Sequence, residues 1–375
     1  MELENTISVH PNSGDLIPLL QSHLPRSGPL LRRLQHDLVR KSQTARYLAT
    51  FPPTGLPTKT SGPPSPWLVA YVDLYAWPET QIWLYSNSEA ESKTVRGEMS
   101  TLASSDSHIN ETRAQLMALI SYCFEKLLPG FLSSLTESSA ISGSHGNRPP
   151  KPPTTLVLGS VHSGLACLIK ETVDLRTFLQ CPKFHIPYIG HYFKYSFQQS
   201  AHDSTVNSSA VLPRRYRFRS RSGVEGYQPY QYDLIKSRCV IARSQETLER
   251  MASVVIYYDD PEITGTATDV SAEMSEQEMP IAWAFMGFDG SLVTLHVEPE
   301  HRRLGLGVLL GKSVMHQSMF DAKQFHLGME HERERGWAFA DVERKNEASQ
   351  RTMEKMGGEF AWTVSWVLLQ QCADE

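Results

Sequence analysis

Apolar residues at Val293, Leu295 and Val297 alternate with Thr294, His296 and Glu298, which predicts a strand with one buried face. From Leu306 the period changes. Leu306, Leu310 and Val314 recur four apart with Leu309 beside them, the spacing of an amphipathic helix. A short turn with Arg302, Arg303, Gly305 and Gly307 joins the two. Upstream, Ile281, Trp283 and Phe285 alternate, and Asp289-Gly290 between two alternating runs predicts a hairpin. Val254 to Tyr258 reads as a buried strand after a helix near 244–252, which Ser244 can cap. Downstream, Trp337 to Val342 is a further strand, joined by a parallel crossover. Asn346 opens a short helix stopped by Gly357-Gly358, and Phe360, Trp362, Val364, Trp366 and Leu368 alternate to the end.

The earlier part of the chain is less regular. Helices are expected over 14–24 and 27–48. The second puts Leu30, Leu31, Leu34, Leu38 and Ala45 on one side and Arg32, Arg33, Arg40 and Lys41 on a solvated one. Trp67 to Leu74 and Gln81 to Ser86 are strand-like around a turn with Pro78, and a helix over 111–128 follows. Leu156 to Leu158 is a strand, 163–173 a helix, and an aromatic run holds Tyr188, Tyr192, Phe193, Tyr195 and Phe197. Stretches near 52–66, 133–155 and 199–213 are rich in Pro, Gly, Ser or Thr, or broadly polar, and are expected to be disordered loops. Asp259 to Glu278 reads as an acidic insertion and Met329 to Gly336 as a charged loop. The expected organisation is α/β (α+β) in two domains, 1–212 and 213–375, without a solenoid repeat.

Composition narrows the function classes. At 375 residues the chain suits two domains, and a formal charge of −5 gives no field favouring nucleic acid or an anionic membrane. No apolar run approaches the ~18 residues of a membrane span. Met1-Glu2-Leu3-Glu4-Asn5 is acidic where a leader would be basic. Five scattered cysteines, an odd number without paired ligand spacing, imply no metal site and idle thiols in a reducing compartment. The expectation is a cytoplasmic or nuclear protein with neither a nucleic-acid nor a membrane partner.

A strand that turns through glycines into a helix offers free N–H groups at the positive end of the helix dipole, and so binds phosphate. The dinucleotide fingerprint fails because Leu310 stands where its third glycine belongs. The triphosphate loop fails because Leu306 stands five residues before Gly311-Lys312-Ser313, which lies within the helix. What remains, Arg302-x-x-Gly305-x-Gly307, resembles the acyl-coenzyme A loop of the GNAT N-acetyltransferase superfamily, Gln/Arg-x-x-Gly-x-Gly/Ala. Pro280 to Phe285, Asn346 to Ser349 and Lys355 to Gly358 are similar to segments flanking that loop. The resemblance covers about the last 160 residues and is strongest to glycine N-acyltransferase-like proteins.

The resemblance implies a GNAT acyl-CoA N-acyltransferase fold over 213–375. The preceding α/β domain is either a degenerate GNAT-like half or an unrelated lid. It implies acetyl-CoA or another acyl-CoA as co-substrate, no metal, and a small amine or amino-acid acceptor attacked directly in a ternary complex. The coenzyme candidates are Val297, Glu298, Arg302, Arg303, Leu304, Gly305, Leu306, Gly307, Val308, Asn346, Ser349 and Lys355. Asn346 is equally a helix cap, and Lys355 equally a solvated lysine. The family's usual acid and base positions fall on Ser291, Val293 and Met353, none of which does that chemistry. The catalytic candidates are therefore His296, Glu298 and Ser349, with regular alternation placing His296 and Glu298 opposite Val293, Leu295 and Val297. A coenzyme-binding protein without catalysis and a protein lysine or N-terminal acetyltransferase are the alternatives.

Overall fold

The computed structural model describes residues 7–53, 65–103, 105–137, 152–179, 183–200, 212–239, 241, 243–260, 278–320, 325 and 335–372. The loops expected near 52–66, 133–155 and 199–213, the 259–278 insertion and the 329–336 loop fall largely outside these. The chain forms two units, one of Met1–Tyr195, Asp341–Lys345 and Phe360–Glu375, the other of Ser196–Ala340 and Asn346–Glu359.

In chain order the first unit holds β1 (Ser8–His10), α1 (Ile17–Gln21), α2 (Gly28–Val39), β2 (Arg46–Ala49), β3 (Leu68–Val72), β4 (Ile82–Ser86), α3 (Asp106–Tyr122), α4 (Leu128–Glu137), β5 (Thr155–His162), α5 (Ser163–Phe178) and most of β6 (Phe184–Ser200). Strands β3 and β4 are buried on both faces, so they read as continuous apolar runs. Alternate residues serve two cores. Leu68, Ala70, Val72, Ile82 and Leu84 belong to the core with α3, α4 and α5, whereas Trp67, Val69, Tyr71, Trp83 and Tyr85 face α1 and α2.

Several expectations are corrected here. The helix expected over 27–48 ends at Val39, and Arg46–Ala49 is a strand. The Asp37 carboxylate accepts from Ser42 N at 3.1 Å and from Tyr47 OH, which turns the chain back to pair with β3. Its basic side is not solvated throughout, because Arg32 and Arg33 are buried. Arg33 lies 4.3 Å from the Tyr71 ring centre and donates to Tyr71 OH at 2.9 Å, so ring faces and a hydroxyl replace water. Residues 133–137 are helical rather than loop. The apolar length of 106–136 would suffice for a membrane span, yet Leu116, Leu119, Ile120 and Leu128 are buried in the first core.

The second unit continues with β7 (Tyr216–Arg217), α6 (Tyr232–Arg238), α7 (Gln245–Arg250), β8 (Ala252–Tyr258), β9 (Ala282–Met286), β10 (Leu292–Val297), α8 (Leu306–Phe320), most of β11 (Arg335–Glu343) and α9 (Glu347–Lys355), whereas β12 (Glu359–Gln371) belongs to the first. One sheet runs β10-β9-β8-β7 and the other β1-β2-β3-β4-β5-β12-β6-β11. Trp283 and Phe285 of β9 are buried with Tyr227, Ile235, Leu248 and Tyr257. Helix α8 packs against β8, β9 and β10. A Cβ at Gly311 would sit 2.2 Å from Met356 Sδ, so only glycine admits that methionine.

The order strand, strand, strand, turn, helix, strand, helix, strand occurs twice, as β2-β3-β4-α3-β5-α5-β6 and as β8-β9-β10-α8-β11-α9-β12, with α4 added in the first. In each, the strands flanking the helix pair in parallel, at Ile82 with Leu158 and at Ser291 with Phe339.

The alternation of β12 is also not carried through. Trp362 and Val364 are buried as expected, but beyond Ser365 the buried residues are Val367 and Leu369, not Trp366 and Leu368. The face of Thr363, Ser365, Val367 and Leu369 is buried throughout, whereas the face of Trp362 and Val364 is only half-covered from Trp366 on; the bulge opposite Ser365–Val367 puts its extra residue in β5, where Ser160 is left-handed.

Candidate functional site

Strand β10 pairs with β9 at Leu292–Met286 and Val293–Phe285, then one residue out of step at His296–Trp283 and Val297–Ala282. The extra residue is accommodated at Thr294, whose φ of +54° is left-handed. A β-branched residue pays about 1–2 kcal/mol in that region. The bulge overturns the regular alternation. His296 lies opposite Trp283, on the face that Val293 shares with Phe285. Its ring stacks on Trp283, with centroids 4.6 Å apart and planes at 20°.

His296 Nε2 is buried and lies 3.4 Å from Glu298 Oε2, within ion-pair range but too far for a formed hydrogen bond. Arg238 Nε donates to Glu298 Oε1 at 3.0 Å. Burial is the largest influence on His296 and lowers its pKa, outweighing the pull of Glu298 in the other direction. Partial burial pushes the Glu298 carboxyl up, but His296 and Arg238 together outweigh it and hold it below its usual range. At neutral pH the site therefore presents a neutral imidazole beside a carboxylate. Arg238, sixty residues away in the chain, carries no signal in the local sequence.

Beyond Glu298, a single turn of 3-10 helix, Pro299–His301, leads to Arg302. Arg303 and Gly305 have φ of +67° and +78°. Alternating left-handed and right-handed residues turn successive N–H groups to one side. Val308 N and Leu309 N donate to Gly305 O at 3.0 and 3.1 Å, whereas the amides from Arg303 to Gly307 have no acceptor among the described residues. They open onto the first turn of α8, where the helix dipole adds to them. Gly305 is needed for its backbone conformation. A Cβ at Gly307 would meet only Val297 and Thr352 at ordinary contact distances of 3.8 and 3.9 Å, so packing does not require that glycine. Tyr216 OH and His301 Nδ1, 2.9 Å apart, tether the turn to β7.

The remaining expected residues divide. Leu304 is exposed, Val308 half-buried and Leu306 buried. Arg302 turns back, its Nε donating to Val297 O at 2.8 Å, and Glu298 N donates to Ile281 O at 2.9 Å. That carbonyl and that amide are thus already engaged. The other edge of β10 is open. Phe339 N donates to Gly290 O at 2.9 Å and Ser291 bridges Phe339, but no pairing with β11 follows from Leu292 onward among the described residues. Asn346 Oδ1 accepts from Ser349 N at 3.0 Å, so Asn346 is the cap of α9. Ser349 is half-buried, and Lys355 is exposed in the last turn of α9. Ser291 is buried, donating through Oγ to Asp289 at 2.8 Å, and Met353 is buried. Among the described residues no cluster of His, Cys, Asp and Glu could hold a metal.

A strand that parts from its parallel neighbour beside a helix with open N-terminal amides defines an acyl-CoA-binding N-acyltransferase fold. Residues 4–195 match the family model described as acyl-CoA N-acyltransferase verG N-terminal domain, and residues 272–367 match that of FR47-like protein. The chain belongs to this acyl-CoA N-acyltransferase family, within the GNAT superfamily. No curated protein sequence matches it. A solved Drosophila protein is similar over 97% of this chain and 98% of its own, at 13% identity and a TM-score of 0.53, which shows a shared fold. The chain also resembles a tandem GNAT protein from the clavulanic acid biosynthesis pathway (12% identity, 99% of both chains, TM-score 0.40). A GCN5-related N-acetyltransferase from Sphaerobacter thermophilus is similar at 9% identity over 99% of this chain and 98% of its own, with a TM-score of 0.41. The fold implies an acyl-CoA co-substrate and an amine acceptor.

Proposed function

We propose that the protein transfers an acyl group, acetyl in the first instance, from coenzyme A to a small amine or amino acid by direct attack in a ternary complex. The observation that carries this reading is the run of acceptor-free amides from Arg303 to Gly307 beside the open edge of β10. The amides suit a diphosphate, and the open edge suits the amide-bearing pantetheine arm, which can add to it as a strand would. The half-buried side chain of Val297, which lies beside Gly307, can cover that arm. The acceptor nitrogen attacks the thioester carbon, the C–S bond breaks, and coenzyme A leaves as its thiolate. His296, neutral and with Nε2 unmet, is placed to take the proton that the attacking amine loses, and Glu298 favours the imidazolium that forms. Orientation of the two substrates supplies much of the rate, so the vacant acid position at Met353 is tolerated.

Equilibrium binding of acetyl-CoA, followed by thiol release with a panel of amino acids and small amines, tests the reading. Saturable binding that is lost in Gly305→Glu and Gly307→Glu, with thiol release for one acceptor, is expected. Binding without turnover across the panel would favour a coenzyme-sensing protein instead. Ser291 held by Asp289, and Met353, both buried where the family carries its usual base and acid, give that alternative its weight.

A further inference from the structure

The C-terminal end of α6 meets β10 at the residues two before and two after His296. Arg238, in the last turn of the helix, donates through Nε to Glu298 Oε1 at 3.0 Å. Cys239, which follows it, bonds the side chain of Thr294 at the bulge and packs against the core that holds Trp283. The end of the helix is itself tied down. Arg238 Nη1 donates to Ser237 Oγ at 3.3 Å, and that hydroxyl donates to Leu234 O at 2.7 Å. Tyr232 OH donates to Arg243 O at 3.0 Å, which folds the following loop back onto α6.

An ion pair with both partners in water adds little to a fold. In this one the Arg238 side chain is 44% exposed but that of Glu298 only 15%. The two oxygens of the carboxylate have separate neighbours. Oε1 is taken by Arg238, and the Glu298 backbone amide is anchored on Ile281 O, so Oε2 is left facing His296 Nε2 at 3.4 Å. The imidazole is fixed in turn by its stacking on Trp283. A line of side chains thus runs from Trp283 through His296, Glu298 and Arg238 to Ser237. The charged and titratable groups around the ring are Glu298 on its own strand, Arg302 on the turn, and Arg238 and Cys239 from α6, while β9 brings Trp283. Burial lowers the His296 pKa most, and Glu298 raises it by more than either Arg302 or Arg238 lowers it. Burial keeps Cys239 a neutral thiol. Arg238 therefore acts on the ring in two opposite senses, against a positive imidazole by its own charge and in favour of one through the carboxylate it holds.

We propose that Arg238 is a positioning residue for the acyl transfer, holding Glu298 so that Oε2 stays at His296 Nε2 and stabilises the imidazolium formed as the acceptor amine loses its proton. This deepens the function proposed above and rests on His296 being the base. The proton leaves the attacking nitrogen for Nε2, and the carboxylate is already in place to accept a charge-assisted hydrogen bond from it. Without Arg238 the carboxylate would turn to water, because a free glutamate side chain gains rotamer freedom by doing so.

The opposite signs make the test. In Arg238→Gln the acid limb of kcat/KM should move to lower pH and the acceptor KM should hold. Its kcat should fall about tenfold, part of the ~10²–10⁴-fold that a positioned base contributes. Arg238→Lys keeps the charge without the planar fork and should behave in the same way. In a Glu298→Gln background only the direct charge remains, so adding Arg238→Gln should move the limb up. Nitrogen-15 NMR titration of the full chain, with the His296 ring identified by its loss in His296→Gln, reads the same shifts without turnover. The positioning role can therefore fail while acyl transfer stands, and the reverse. Arg238 is exposed at a helix end, and circular dichroism with melting temperature verifies that each variant folds. An upward shift in Arg238→Gln would reduce Arg238 to a nearby charge, and an unchanged His296 titration would reduce it to a surface ion pair. A raised acceptor KM with kcat kept would place it on the substrate. Any of these three outcomes overturns the proposal.

Discussion

Gly305 and Gly307 look alike in the sequence and differ in the structure. Gly305→Ala places a Cβ on a left-handed residue and should cost about 1 kcal/mol of stability as well as coenzyme affinity. Gly307→Ala meets only ordinary contacts at the start of a helix, so the denaturant midpoint should hold while the Kd for acetyl-CoA rises. Chemical denaturation and calorimetry on the two variants separate these effects. Loss of stability in both would place the two glycines in packing rather than in ligand approach. His296 gives a prediction in pH. Its folded pKa is lowered, so the base form persists below its ordinary value near 6.5, and the acid limb of kcat/KM should fall below that pH. Glu298→Gln removes a charge that favours the imidazolium, so the limb should move further down, and His296→Gln should abolish it together with most of the rate. An unchanged limb in His296→Gln would assign the base elsewhere. That His296 is a candidate could be read from the residue type; that it faces Trp283 could not, because one left-handed threonine exchanged the faces.

Two elements carry the arrangement, the β10 bulge and the capped α9. Thr294→Gly removes the side chain from its left-handed conformation and should raise stability by about 1 kcal/mol with activity kept. Deletion of Thr294 should restore regular pairing with β9, turn His296 to the other face and abolish activity in a folded protein. Asn346→Ala removes the bond to Ser349 N and should cost about 1 kcal/mol, with the acetyl-CoA Kd unchanged because the side chain is spent on the cap. A loss of affinity without loss of stability would give Asn346 to the coenzyme instead. The Asp289-Gly290 hairpin, the Ser244 cap and the helix from Leu306 were all legible, since each is written in residues a few places apart. The end of α2 at Val39 was not. Leu30, Leu31, Leu34 and Leu38 keep a helical period, and what stops the helix is a carboxylate on Asp37 reaching Ser42 and Tyr47.

At the scale of the whole molecule, stability against pH reports on the interior of the first unit. His162 has its pKa lowered to about 3 by burial, so the unfolded chain binds the extra proton as pH falls below about 6.5. The folded protein should lose stability progressively from there towards pH 3, and His162→Gln should flatten that slope. Glu89 acts in the opposite sense. Its folded pKa of about 8 exceeds the unfolded value near 4.3, so the stability it contributes is complete below about 4.3 and is lost as pH rises towards 8. Glu89→Gln should remove that loss. Thermal unfolding across pH 3–9 checks both signs, and equal profiles for wild type and variants would place both groups in water.

Sequence alone determined the class of this protein. The alternation into Val297, the glycine turn and the period of four from Leu306 are local patterns, because backbone geometry makes neighbouring residues share a face or a bend. The tertiary structure decided what locality cannot reach. It set Arg238 on Glu298, returned the last strand beside β5 and buried His162 and Glu89, and it turned His296 through a bulge visible only in the pairing with β9. Those outcomes depend on which surfaces meet across the chain, and burial, more than any neighbour in sequence, then fixes the protonation of the groups enclosed there.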